Sequence, residues 1–84
     1  MVIFVVTKDG FRELEVIIKT GFYPVWVGAN VLSEHELGRY RNMDLDITNF
    51  SYEIDPADSE ALTDALATIA EHHPGERVWL EYRP

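Results

Sequence analysis

Four short runs of apolar, β-branched or aromatic residues, Val2 to Val6, Phe22 to Val27, Ile47 to Tyr52 and Val78 to Tyr82, are separated by stretches with helical spacing. This alternation predicts βαβ units and a largely parallel sheet. The first run leaves no polar face, as a strand buried on both sides requires, so it belongs in the middle of the sheet. Asp9 is placed to cap a first helix. In that helix Phe11, Leu14, Ile17 and Ile18 recur at helical spacing until Gly21 ends it after about three turns.

The second run carries Pro24, which cannot donate a ladder hydrogen bond, and it therefore reads as an edge strand. Ser33, Glu34, His35 and Glu36 form a capping box, with Leu32 and Leu37 in staple positions, and open a helix from Glu34 to about Arg41. The third run is less regular, with a break or bulge expected near Asn49. Asp55 and Pro56 fit the N-cap and first position of the longest helix. Its apolar stripe is Leu62, Ala65, Leu66, Ile69 and Ala70, and Pro74 with Gly75 stops it. In the last run Val78, Leu80 and Tyr82 alternate with Trp79, Glu81 and Arg83, the pattern of a strand with one wet face.

Joined by right-handed crossovers, these elements most simply give a single α/β domain spanning residues 1–84, with a four-stranded, mainly parallel sheet and three helices. The expected strand order is 2-1-3-4, with the first helix on one face and the other two opposite. In element order this resembles a truncated flavodoxin-like sheet, and no family motif accompanies the resemblance. A competing α+β reading starts from Asp9 and Gly10, a type I′ hairpin signal, with Leu14, Val16 and Ile18 alternating as a strand would. It would give an antiparallel meander packed against the later helices.

A chain of 84 residues buries only about 60–65% of its unfolded surface, so nearly all its apolar residues are needed for the core. Fifteen acidic against seven basic residues give a net charge of −8, which opposes association with nucleic acid or anionic membranes. The absence of cysteine excludes a disulfide framework, a thiol nucleophile and a Cys-based zinc site. The first apolar run is too short for a signal sequence or membrane span, so the cytoplasm is the expected compartment.

A sheet of order 2-1-3-4 reverses between its first and third strands, which would place Thr7, Lys8 and Asp9 on one side of a crevice and Asn49, Ser51 and Tyr52 on the other. These polar groups suit a small anionic or hydroxylated ligand. They equally suit a helix cap and ordinary loops. One glycine is too few for a phosphate-binding loop, and the clustered carboxylates of a receiver-type pocket are missing. His72 and His73 point about 100° apart on a helix, so no metal site is expected, and no cofactor is. Ser33 and Ser51 lie in no nucleophile elbow, while Glu34 with Glu36 and Glu13 with Glu15 diverge on their helices.

Arg39, Tyr40 and Arg41 form the one basic and aromatic cluster, suited to a carboxylate or acidic partner and equally to complementing a helix C-terminus. Trp26 and Trp79 fall on the expected edge strands, where large aromatics are enriched in interfaces and equally serve as core packing beneath a helix. The residues thus favour a small, acidic, non-enzymatic binding or regulatory module working through protein contacts, with a homodimer among its expected forms. The alternative is a small-molecule-binding protein or minimal enzyme using the crevice of Thr7, Lys8, Asp9, Asn49, Ser51 and Tyr52.

Overall fold

The computed structural model describes residues 1–82. Strands β1 (Val2–Val5), β2 (Val25–Val27), β3 (Ile47–Asn49) and β4 (Val78–Leu80) form one sheet, and every pairing is parallel. Helices α1 (Lys8–Glu13), α2 (Glu15–Ile18), α3 (Glu34–Arg41) and α4 (Ser59–His72) connect them. The fold is α/β, with β1 in the interior as its all-apolar sequence requires. Residues 11–18 are helical apart from a break at Leu14, which excludes the antiparallel meander.

The strand order is β3-β2-β1-β4 rather than 2-1-3-4. Pro24 misleads here because it precedes β2 instead of sitting within it: no ladder donor is needed there, and its carbonyl accepts the Ile3 N–H at 2.9 Å. All three residues of β2 are buried, and the strand lies between β1 and β3. The real edges are β3, whose burial fades along its length, and β4.

Because the chain steps β1 to β2 to β3 in one direction, right-handed connections keep α1, α2 and α3 on one face. The return from β3 to β4 puts α4 alone on the other, correcting the expectation that α3 would lie opposite the first helix. Strand alternation divides the core accordingly. Ile3, Val5, Val25, Val27 and Ile47 pack with Phe11, Ile18, Leu37 and Tyr40. Val2, Phe4, Val6 and Trp26 pack with Phe50, Ile54, Leu62, Ala65 and Ile69. Burying a valine, isoleucine or phenylalanine completely is worth about 1.5–3 kcal/mol, so β1, with four residues at 0–2% exposure, anchors both layers.

Helix boundaries follow caps. Ser33 Oγ accepts the Glu36 N–H at 3.1 Å and the Glu36 carboxylate accepts the Ser33 N–H at 3.0 Å, completing the expected box. The first helix begins one cap earlier than Asp9: Thr7 Oγ1 accepts the Gly10 N–H at 3.0 Å. It also divides into α1 and α2 at Leu14, where φ is −99° and ψ 4°. The longest helix starts at Asp58, whose carboxylate accepts the amides of Glu60 and Ala61, and not at Asp55. Asp55 instead closes a turn by accepting the Ala57 N–H at 2.9 Å. Arg83, which the sequence places on the wet face of β4, lies outside the described residues.

Candidate functional site

In this all-parallel sheet the order of strand addition reverses between β1 and β4, so the place where such folds bind ligands lies beyond the carboxyl ends of those two strands. The chain fills that place itself. Glu81, immediately after β4, accepts the backbone N–H groups of Val6 at 2.9 Å and Thr7 at 3.0 Å, and the Thr7 hydroxyl donates to its second oxygen. The carboxylate lies against Gly10 so closely that a Cβ there would have no room. An anionic ligand would need the amides that Glu81 already occupies.

The residues read as lining one crevice are dispersed. Thr7 caps α1 and binds Glu81, and Lys8 and Asp9 stand exposed beside it. Asn49 is separated from them by β2, and its side-chain oxygen accepts from Arg41 at 3.1 Å. Ser51 and Tyr52 are exposed beyond β3; the Tyr52 ring packs on Phe50 with centroids 5.4 Å apart. Thr7 and Lys8 do border an open depression of about 580 Å³ at the ends of β1 and β2, but its other walls come from Asn30, Glu53, Asp55 and their neighbours. Lys8 faces two carboxylates there, a mixed set that selects no charge of ligand.

The interface residues separate just as clearly. Trp26 lies on the interior strand and is 5% exposed, packed against Phe50, His72 and His73 with ring centroids 5.3, 5.3 and 6.0 Å away. Its indole N–H has no partner among the described residues. Arg39 stacks its guanidinium 5.1 Å from the centre of the Tyr40 ring. Arg41 does something the sequence did not announce. Its Nε and one terminal nitrogen donate to the Ile47 carbonyl at 3.2 and 2.9 Å, covering the outer edge of β3.

Trp79, by contrast, is an open tryptophan, 56% exposed. It shares its face of the sheet with Ile3, its partner in the β1–β4 register. The helices on that face cover the other three strands and leave β4 bare. What remains between α1–α2 and β4 is a largely apolar groove of about 540 Å³, lined by Met1, Ile3, Leu14, Ile17, Trp79 and Leu80 and rimmed by Glu13 and Glu81. Ile17 at 43% and Tyr82 at 73% exposure extend the apolar surface around it. Reading Leu14 and Ile17 as core-facing stripe residues concealed this groove; the strand order, which leaves β4 uncovered, creates it.

Two carboxylates near this face are tuned by local bonds. The Lys19 ammonium, 2.9 Å away, and then the Tyr40 hydroxyl hold Glu15 below the usual carboxyl range. The bonds to Ser33 do the same for Glu36. Among the described residues no three His, Asp or Glu side chains cluster so as to hold a metal ion, and no helix is long and apolar enough to cross a membrane. No family model, no curated protein and no solved structure matches this chain.

Proposed function

We propose that this protein is a small, acidic, non-enzymatic binding module of the cytoplasm that works through protein–protein contacts, with the outer edge of β4 and its groove as the contact surface. The observation that carries this reading is Trp79, more than half exposed beside an apolar groove on the sheet edge that no side chain covers among the described residues. Tryptophan in such a setting offers a large, rigid, amphipathic contact area, the kind that dominates interface energetics. The opposite edge is blocked by Arg41, and the crevice at the switch point is filled by Glu81. The net charge of −8 favours protein over nucleic acid as the partner.

A second reading, a small-molecule site, rests on the depression beside Thr7 and Lys8. Its mixed charge and open shape give it less support, since ligand sites bury most of their ligand. A photo-crosslinking side chain placed at Trp79, with a control at the exposed Thr63 on α4, decides for or against the contact surface in the native host cell. Crosslinks to one defined protein, a second copy included, are expected at position 79 and not at 63. No crosslink at either position, or equal crosslinking at both, would overturn the proposal.

A further inference from the structure

We propose that the occupant of the β4 edge is a second copy of this chain, paired antiparallel to the first through β4 about a two-fold axis at Trp79. This inference rests on the protein-contact reading and adds the identity and register of the partner. The hydrogen bonds of β4 supply its first argument. Val2 N–H donates to the Arg77 carbonyl at 2.7 Å and Glu81 N–H donates to the Phe4 carbonyl at 3.0 Å, so residues 77, 79 and 81 turn their backbone groups to β1. Strand alternation then turns those of Val78 and Leu80 outward, to the open edge.

A two-fold axis at Trp79 puts Val78 opposite the partner's Leu80, and Leu80 opposite the partner's Val78. These are hydrogen-bonded pairs, each exchanging two N–H to C=O bonds, so every outward group of the strand is satisfied. Trp79 then meets the partner's Trp79 in the closely spaced pair between them, with Cα atoms about 4.5 Å apart. The exposed indole of each copy is covered, and the two grooves join into one apolar seam. The sheet becomes eight-stranded.

Charge selects this register. The same axis sets Arg77 opposite the partner's Glu81, whose carboxylate keeps its bonds to Val6 and Thr7 and stands across the strand pair as a neighbouring charge of opposite sign. Centring the axis on Val78 would set Arg77 against the partner's Trp79, and centring it on Leu80 would set Trp79 against the partner's Glu81. Neither gives a charge pair. The assembly also closes at two copies, because growth from β4 onto the β3 edge of another copy meets the Arg41 guanidinium bonded to the Ile47 carbonyl.

Sedimentation equilibrium of the full chain from micromolar to millimolar concentration tests the association, and amide hydrogen exchange tests the register. The expected result is a mass that doubles with concentration while exchange at Val78 and Leu80 slows in step. Trp79→Lys, which changes both sides of the one contact on the axis, and Arg77→Glu, which changes two symmetric contacts, are both at exposed side chains and are each expected to weaken the dimer about tenfold. Should Trp79→Lys fail to fold, Arg77→Glu carries the test alone. A monomer throughout, or a dimer whose Val78 and Leu80 amides are not slowed, overturns the inference. A monomer that still crosslinks another protein at position 79 overturns the homodimer alone, whereas loss of both removes the contact reading with it.

Discussion

Glu81 reaches back from the end of β4 to bind Thr7, 74 positions earlier, and in doing so ties the last strand to the start of α1. One carboxylate accepts from two backbone amides and a hydroxyl that also caps the helix. Removing it leaves three partly buried donors without that acceptor. Glu81→Ala is therefore expected to lower stability by about 2 kcal/mol. Urea denaturation checks this, and an unchanged midpoint would show that water replaces the carboxylate at no cost.

Gly10 provides the companion test, because a Cβ at that position would collide with the Glu81 carboxylate. Within a helix alanine otherwise outranks glycine by about 1 kcal/mol. Gly10→Ala should thus destabilise the native chain yet stabilise the Glu81→Ala variant. The double-mutant cycle reads the coupling directly, and the same sign in both backgrounds would refute it.

Ser33→Ala removes the side-chain half of the capping box on α3. The expected loss is about 1 kcal/mol, the usual worth of such a cap, with Ser33→Gly closer to the native chain. Thermal or urea unfolding measures both. Equal losses for the two would mean that the Ser33 hydroxyl acts elsewhere.

The pH dependence of stability follows from Glu15, Glu36 and Glu76, each held below the ordinary carboxyl value of 4.5 in the folded chain, Glu76 by its bond to the N-terminal ammonium first. A carboxylate with a depressed folded value contributes its stability fully above the unfolded value and loses it as pH falls through the folded one. Stability should accordingly fall on acidification below about pH 5. Tyr40→Phe takes away the hydroxyl that donates to Glu15 at 3.1 Å and should flatten that fall. Denaturation midpoints compared between pH 7 and pH 3 decide the point; an undiminished slope in Tyr40→Phe would assign the acid sensitivity to other groups.

What the sequence disclosed was local. Ser33 and Glu36 are three residues apart and specify their helix start within one turn, so the box is readable without any fold. The apolar run of β1 announced a strand buried on both faces for the same reason. Strand order is a non-local property, and the one residue taken to decide it, Pro24, is compatible with an interior strand when it stands just before the first ladder residue. The switch point moved with the order, from between the first and third strands to between β1 and β4. Asn49, Ser51 and Tyr52 were thereby separated from Thr7, and Glu81 took their place. A hint existed in Gly10, a glycine in the first turn of a helix, where close approach of another group is the usual reason to forgo a side chain.

Arg41 is the last residue whose role can be separated by substitution. Its fork on the Ile47 carbonyl and the Asn49 side chain satisfies the outer edge of β3 and places a cation where a foreign strand would dock. Arg41→Ala should cost about 1 kcal/mol in hydrogen bonding and, more tellingly, leave that edge open. In a chain whose β4 edge pairs with a second copy, a second free edge permits continued growth, so light scattering should report masses above the dimer. Arg41→Lys keeps the charge but supplies a point donor in place of the planar fork, and should fall between the two. Normal mass and stability in Arg41→Ala would show that the short β3 edge resists pairing without its arginine.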